Sequence, residues 1–161
     1  MTEWPAGVQR VIDSAAANGF EIEIVEYPDG TRTAPDAAAA VGCEVGQIVK
    51  SLIFSVNDEL VLALTSGKNR VDTEALAKAA GGDRCDRADV DQVREVTGFA
   101  IGGVPPLGHV NTVRSFFDPT LLEYDTVWAA AGTPRHVFPI DPAELLTVTG
   151  ATQVTFARPD S

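Results

Sequence analysis

The chain has 161 residues, and its 12 Lys and Arg against 23 Asp and Glu give a formal net charge of −11 and a pI near 4.4. Hydrophobic residues make up 45% and charged residues 22%, a balance typical of globular proteins that excludes the collagen-like and disordered classes. A chain this acidic repels polyphosphates at long range, which disfavours a non-specific nucleic-acid binder. Any contact with RNA is therefore expected to be local, and DNA is not an expected partner.

Length and cysteine content limit the organisation further. A chain of this length fits one domain, residues 1–161, around one core. The first residues do not resemble a secretory signal and no apolar run reaches about 18 residues, so we expect a cytoplasmic protein without a membrane partner. Cys43 and Cys85 lie 42 residues apart without a CxxC motif, which predicts reduced structural thiols rather than a zinc site or a disulfide.

Helical periodicity, with Asp or Thr before and Gly after the apolar positions, predicts five helices. They cover residues 5–18, 36–42, 72–82, 88–97 and 141–150. Asp72, Asp89 and Asp141 are the expected N-caps of the last three. In the fourth helix, Val90 and Val93 are expected on one buried face, together with Val96.

Apolar residues in alternating or short continuous runs predict the strands. The expected strands cover residues 20–27, 47–56, 59–66, 111–117, 126–132, 135–140 and 151–156. The second and third are joined by Asn57-Asp58, a two-residue hairpin turn, and this hairpin is the expected centre of the sheet. A loose end is expected over residues 158–161.

An uncharged loop at residues 98–110, GFAIGGVPPLGHV, is the most distinctive segment. Gly102 and Gly103 permit positive φ and close backbone approach, whereas Pro105 and Pro106 fix φ and remove two N–H donors. We interpret the loop as a stiff extended wall with exposed carbonyls, suited to a small-ligand pocket. An ordinary structural turn between elements is the alternative, because Gly and Pro also punctuate plain loops.

Lys50 is the most unusual charge, because it lies in a strand whose neighbours are almost all apolar. Either its ammonium snorkels to water from an edge strand, or it points into a pocket where it can hold a phosphate or a developing oxyanion. Ser51 faces the other side of a regular strand and is therefore a poor catalytic partner for Lys50.

Other polar residues leave two interpretations open. Lys68 and Arg70 follow the predicted hairpin and either touch an RNA phosphate or are simply solvated. His109 and His136 are 27 residues apart with no HExxH motif or cysteine cluster, which gives a metal site little support. Each histidine either lines a pocket or is a satisfied, half-buried side chain. No serine or cysteine nucleophile motif can be assembled, so an enzyme of this sequence would position a water.

Four segments in this order, QIVKSLIF, TSGKNRVDTEALAKAAG, TGFAIGGVPPLGH and WAAAGTPRHVFPI, resemble the YbaK/ProX family of aminoacyl-tRNA deacylases. That family is related to the editing domain inserted in bacterial prolyl-tRNA synthetases. The resemblance runs from about residue 20 to residue 157. It implies an α/β fold of the α+β type, with a mixed, strongly curved sheet flanked by helices. It also implies hydrolysis in trans, without a metal or other cofactor, of the ester that joins a wrong amino acid to the terminal ribose of a tRNA.

The resemblance also implies roles for individual residues. Lys50 is expected to engage the phosphate of the terminal nucleotide and help fix the ester, and Gly102 to help position the attacking water. The expected binding residues for the aminoacyl group are Gly103, Val104, Pro105, Pro106, Gly132, Thr133 and His136. Apart from the resemblance, His109, Tyr27 and Thr33 are further candidates for polar groups of the pocket. The expected partner is the acceptor end of an aminoacyl-tRNA, and a synthetase is a further candidate.

The expected substrate carries a small amino acid, of the Ala, Ser, Cys or Thr class. A synthetase gains only about 1–3 kcal/mol from one methylene and needs a second sieve against smaller impostors. Two other functions remain open. One is a non-catalytic tRNA- or synthetase-binding module of the same fold, and the other is a small-molecule pocket without an RNA partner, which the acidic charge favours.

Overall fold

The computed structural model describes residues 4–27 and 33–160. In these two ranges the chain forms five α-helices and ten β-strands. The helices are α1 (Ala6–Ala17), α2 (Ala34–Val41), α3 (Thr73–Ala80), α4 (Val90–Thr97) and α5 (Pro142–Thr149). The strands are β1 (Val25–Glu26), β2 (Ile48–Val56), β3 (Glu59–Ser66), β4 (Asn69–Val71), β5 (Cys85–Arg87), β6 (Arg114–Phe117), β7 (Val127–Thr133), β8 (His136–Ile140), β9 (Thr152–Gln153) and β10 (Ala157–Pro159). Short 3₁₀ helices cover Val45–Gln47 and Pro119–Glu123.

Eight strands form one mixed sheet in the order β1-β8-β7-β2-β3-β6-β9, with β5 paired to the far end of β2. The pairs β2–β7, β3–β6 and β6–β9 are parallel, and the other pairs are antiparallel. Strands β4 and β10 form a separate antiparallel pair, the β4–β10 ribbon. The predicted α/β fold with a mixed sheet flanked by helices is confirmed.

The β2–β3 hairpin lies at the centre of the sheet, as predicted. Asn57 and Asp58 have φ of 47° and 73°, the two positive values of a type I′ turn, which Asn and Asp tolerate better than most residues. The turn sets the register, so that Val49 faces Ser66 at the other end of the hairpin. Since side chains alternate along a strand, this register decides which β2 side chains share a face.

Helices cover both faces of the sheet. Val49 and Ile53 of β2 pack in the core under α1, α4 and α5, whereas Phe54 and Val56 pack in the core under α3. Helix α2 packs over Ile48. By the same alternation, Ser51 belongs to the face of Val49, and Lys50 lies on the opposite face.

Side-chain caps determine where the helices begin. Thr33 accepts a hydrogen bond from a first-turn N–H of α2, and Asp72, Asp89 and Asp141 do the same for α3, α4 and α5. The predicted N-caps of the last three helices are therefore confirmed. No helix in the described part of the chain combines the length and apolar character needed to cross a membrane.

Three predictions of local structure are wrong. Of the strand expected over residues 20–27, only Val25–Glu26 pairs, with β8; the alternating apolar residues before it pack against the core without a ladder partner. Val90 is 53% exposed, because it begins α4 and the buried stripe runs through Val93 and Thr97 instead. Residues 158–160 are not loose, since β10 pairs with β4 and the Asp160 N–H donates to the Lys68 carbonyl; residue 161 lies outside the described residues.

Candidate active site

A gap in the strand pairing of β2 opens a cleft beside this strand. One edge of β2 is paired with β3 along the strand, but the other edge is paired with β7 only at Ile48 and Val49 and with β5 only from Phe54 onward. Lys50, Ser51, Leu52 and Ile53 lie in between. A cleft of about 300 Å³ opens at this gap, at the small end of the range for ligand pockets.

The cleft, here called the β2–β7 cleft, has an apolar floor and a polar rim. The floor consists of Ile48, Val49, Trp128, Ala130 and Val137. The rim includes Thr33, Lys50, Ser51, Arg87 and Thr133. The remaining side is formed by the Gly-Pro loop, through Ile101, Gly102 and Val104. Of the sequence-predicted residues, the structure thus brings Lys50, Gly102, Val104, Thr133 and Thr33 together around one cavity.

The Gly-Pro loop is held against the β7–β8 turn by direct backbone contact. A Cβ on Gly103 would lie 2.7 Å from the Thr133 Cα, so no other residue fits without displacing that turn. Gly102 has φ of 97° and occupies the third position of a turn closed by the hydrogen bond from the Gly103 N–H to the Ala100 carbonyl, 3.1 Å. Positive φ at this position is the type II arrangement that favours Gly. The two glycines therefore fix two walls of the cleft relative to each other.

The prolines lie behind this wall, and the expected row of exposed carbonyls is not observed at Pro105. Pro105 and Pro106 are buried, and the Pro105 carbonyl accepts a hydrogen bond from His109 Nε2 at 2.7 Å. Burial lowers the pKa of His109 below its usual 6.5, and the bond to Pro105 opposes this effect. His109 also packs edge-on against Phe99, with ring centroids 6.3 Å apart. His109 thus stabilises the loop through contacts with two other residues of the same loop.

Lys50 lies half-buried at the rim, and its ammonium donates to the main-chain carbonyl of Asn69 in β4. Because β2 is a central strand, the edge-strand interpretation of this lysine is wrong. Desolvation lowers the pKa of Lys50; among nearby charges Asp160 and Asp118 raise it, and Arg87 lowers it. An ammonium has three N–H donors, so two remain for a ligand after the bond to Asn69.

A buried carboxylate that sequence reasoning missed holds the partner of Lys50 in place. Asp118 is 2% exposed; its Oδ2 accepts from the Ser66 N–H at 3.0 Å and from Asn69 Nδ2 at 2.9 Å. Its Oδ1 accepts from the Thr120 N–H at 3.0 Å. From the sequence, Asp118-Pro119 indicates only the start of a turn or a short helix. Asp118 fixes Asn69 and, through it, the carbonyl that orients Lys50.

Ser51 presents two polar groups at the gap. The Gly67 N–H donates to the Ile48 carbonyl at 2.7 Å, and the Ala88 N–H donates to the Ile53 carbonyl at 3.1 Å. The backbone groups of Ile48 thus point toward β3, and those of Ile53 point to the opposite edge. Because this direction alternates from residue to residue along an antiparallel strand, the N–H of Ser51 points to the same edge as Ile53, which is the open one. The Ser51 Oγ is buried and has no hydrogen-bond partner within the described residues. Sequence reasoning placed Ser51 on the correct face but did not detect these unpaired groups.

Thr133 is oriented by a short polar chain. Its hydroxyl lies 2.6 Å from His136 Nδ1, and His136 Nε2 lies 3.2 Å from Glu26 Oε2. A carboxylate only accepts, so Nε2 donates to Glu26, and in the neutral imidazole Nδ1 accepts from the Thr133 hydroxyl. The Arg135 N–H donates to the same hydroxyl oxygen at 3.0 Å. With His136 neutral, these described contacts leave one acceptor site on Thr133 Oγ1.

The other predicted binding residues are not among the described residues that line the cleft. They are Tyr27, Gly103, Pro105, Pro106, His109, Gly132 and His136. Tyr27 is buried and its hydroxyl donates to the Ala37 carbonyl at 3.4 Å, and burial raises its pKa to about 12. These residues support the walls of the cleft from behind. The two cysteines are unpaired, and no group of three His, Cys, Asp or Glu within residues 4–27 and 33–160 is arranged to hold a metal ion.

Comparison with known proteins identifies the family and the fold. Residues 28–148 match the family model described as the aminoacyl-tRNA editing domain. The multifunctional Ser/Thr-tRNA deacylase ProXp-y of Escherichia coli K12 is 26% identical over 166 aligned residues, which cover 98% of this chain and 99% of that protein. The proline–tRNA ligase of Maridesulfovibrio salexigens is 36% identical over 89 residues, covering 55% of this chain but only 15% of the ligase.

A solved structure matches nearly the whole chain. The crystal structure of a protein proposed to be a trans-editing enzyme for prolyl tRNA synthetase superposes with a TM-score of 0.91 at 46% identity, covering 97% of this chain and 99% of that one. The chain belongs to the aminoacyl-tRNA editing domain family. The predicted enzyme class, an aminoacyl-tRNA deacylase, is confirmed with it.

Proposed function

We propose that the protein hydrolyses, in trans, the ester of a tRNA mischarged with a small amino acid of the Ala, Ser, Cys or Thr class, and that the β2–β7 cleft is the active site. The observation that carries this proposal is the gap in β2, where Lys50 and the Ser51 N–H meet the wall formed by Gly102 and Val104. The volume of about 300 Å³ supports a small acyl group, because the same space must also admit the terminal ribose.

The polar groups of the rim suit the two ends of an aminoacyl ester. With His136 neutral, the described contacts of Thr133 Oγ1 leave it one acceptor site, which suits the α-ammonium of the amino acid. The Ser51 N–H, which points to the open edge of β2, suits the ester carbonyl, where negative charge develops during attack. The two remaining N–H donors of Lys50 suit the phosphate of the terminal nucleotide. Each of these roles uses a group that is already held in place in the free protein.

The reaction needs no covalent intermediate in this scheme. A water oxygen adds to the ester carbonyl carbon, and the bond from that carbon to the ribose oxygen then breaks. The ribose oxygen leaves as a hydroxyl after taking the proton that the water loses. The Gly102 backbone at the mouth of the cleft is the proposed support for the water, and Val104 limits the size of the acyl group.

The test is single-turnover deacylation of tRNAs charged with Ala, Ser, Thr, Cys and Pro. We expect hydrolysis of one or two of the small members, and a loss of at least about 100-fold in Lys50→Ala, the size of effect typical for a group that stabilises developing charge. Lys78→Ala is the matched control, because Lys78 is an exposed lysine on α3.

The alternatives give different results. Unchanged turnover in folded Lys50→Ala would remove Lys50 from the mechanism. Binding of tRNA without hydrolysis of any member would favour the non-catalytic binding module. Absence of both activities would favour a small-molecule pocket without an RNA partner.

A further inference from the structure

The β4–β10 ribbon places two arginines directly opposite each other. Arg70 of β4 faces Arg158 of β10 in the strand register. Two residues away in each direction, the Asp160 N–H donates to the Lys68 carbonyl at 3.1 Å and the Asp72 N–H donates to the Phe156 carbonyl at 2.8 Å. By alternation, Arg70 and Arg158 form a hydrogen-bonded pair, with Cα atoms about 5.5 Å apart and side chains on the same face.

Neither guanidinium is neutralised by the part of the chain that the structure describes. Both arginines are exposed, and no ion pair or side-chain hydrogen bond of either occurs in residues 4–27 and 33–160. Like charges directly across a strand pair are destabilising. The neighbouring Asp72 carboxylate caps α3 through the Glu74 and Ala75 N–H groups, at 3.1 and 3.2 Å. In a chain of net charge −11, two adjacent uncompensated cations indicate an external anion.

The ribbon adjoins the rim of the β2–β7 cleft. Asn69, the residue before Arg70, supplies the carbonyl that accepts from the Lys50 ammonium. Lys68, on the other side of Asn69, is exposed and its Nζ lies 5.4 Å from the Tyr124 ring centroid. The arginine pair therefore lies next to the residue that binds Lys50, on the ribbon face that also carries Lys68 and Asp160.

We propose that Arg70 and Arg158 together bind backbone phosphates of the tRNA acceptor strand whose aminoacylated end enters the cleft. The proposal rests on the function proposed above for the cleft. A guanidinium is a planar fork that binds phosphate oxygens in a bidentate manner. Two forks at this separation can hold one phosphate jointly or two successive phosphates. Such contacts position a nucleic acid without reading its sequence, and they need no broadly basic surface.

The test compares equilibrium binding of uncharged tRNA at several salt concentrations by three proteins. These are the wild type, the double variant Arg70→Gln/Arg158→Gln, and the control Arg84→Gln/Arg94→Gln. The control removes the same net charge from two other exposed arginines. Each lost phosphate contact is expected to reduce the slope of log K against log salt by about 0.7 to 0.9. We therefore expect a decrease of about 0.8 in the ribbon variant if the pair holds one phosphate and about 1.5 if it holds two, with roughly 10-fold weaker binding at low salt. The control should bind within about twofold of wild type, and Arg70→Lys/Arg158→Lys should recover most of the slope.

Equal salt slopes in the wild type and the ribbon variant would overturn the proposal. An equally large loss of affinity in the control variant would also overturn it, because the effect would then come from net charge rather than from the arginine pair. Failure of the wild type to bind tRNA at low salt would also overturn it. The melting temperature of the ribbon variant verifies that β4 and β10 still pair. Hydrolysis by the wild type is measured separately. Binding that depends on Arg70 and Arg158 without any hydrolysis would refute the proposed reaction but support the proposed phosphate contacts of the ribbon.

Discussion

Replacing Asp118 by Asn tests whether the buried carboxylate organises the site. The two side chains have nearly the same shape, so packing is preserved and only hydrogen bonding and charge change. Asp118 accepts three hydrogen bonds, two on Oδ2 and one on Oδ1. Asparagine keeps a single acceptor oxygen. The favourable orientation leaves that oxygen facing Ser66 and Asn69, and turns the amide nitrogen toward the Thr120 N–H.

The magnitude follows from this geometry. One hydrogen bond is lost and two donors are brought face to face, and a buried unsatisfied donor costs about 1–3 kcal/mol. We therefore expect the free energy of unfolding to fall by about 2 kcal/mol in Asp118→Asn. Asp118→Ala would remove all three hydrogen bonds, leaving Asn69 Nδ2 only its bond to Thr120 Oγ1, and would cost about 3–5 kcal/mol, which approaches the whole stability of a small domain. The asparagine variant is thus the informative one.

Urea denaturation followed by far-ultraviolet circular dichroism measures this change. Asp125→Asn is the control, because Asp125 is exposed in the same segment and its replacement should change stability by less than about 0.5 kcal/mol. The variant has a second consequence. Desolvation lowers the pKa of Lys50 and Asp118 raises it, so Asp118→Asn should lower that pKa. As pH rises, Lys50 should therefore lose its proton, and deacylation should decline, at a lower pH in the variant than in wild type. Stability within about 0.5 kcal/mol of wild type would refute the structural reasoning.

Three more changes test the cleft and its loop. Val104→Trp should fill part of the cleft and slow deacylation of every charged tRNA at least about 10-fold, and unchanged single-turnover rates would show that Val104 is not the wall. Ser51→Ala should leave the free energy of unfolding unchanged or raise it by up to about 1 kcal/mol, because the Oγ has no partner to lose; clear destabilisation in urea would contradict this. The folded-state pKa of His109 is lowered, so its contribution to stability is complete above pH 6.5 and is lost as pH falls below it. Urea midpoints at about pH 7.5 and about pH 5 should therefore differ less in His109→Gln than in wild type.

Local signals predicted the fold well where the determining contacts are close in sequence. The turn at Asn57-Asp58 and the caps at Asp72 and Asp89 act over a few residues, and all three are observed. The errors lie where pairing is remote. Residues 20–24 have the alternation of a strand but no partner, because β8 reaches only Val25 and Glu26. The pairing of β10 joins segments more than 80 residues apart, and no local pattern encodes it.

The candidate site was predictable in part for the same reason. Lys50 was identifiable because a charge in an apolar strand is unusual, and Gly102 and Val104 because the glycine and proline run is distinctive. Which residues of that run face the cleft was not predictable. That orientation depends on the contact of Gly103 with Thr133 and on the bond from His109 to Pro105, both of which are tertiary.

The position of the cleft is a consequence of topology rather than of any one motif. Strand β7 approaches one edge of β2 in the parallel direction and ends its ladder at Val49, whereas β5 approaches the same edge antiparallel and begins its ladder at Phe54. The four residues between them span about 13 Å at the usual rise of a strand. A gap of this kind in a central strand leaves backbone groups unpaired, and unpaired polar groups destabilise a sheet. The same groups become useful if a substrate completes the pairing, because they are held rigidly by the intact ladder with β3 on the other edge.

Lys50 and Ser51 therefore serve the proposed reaction through their place in the gap. Inserting one residue between Val49 and Lys50 should abolish turnover even if the hairpin still forms.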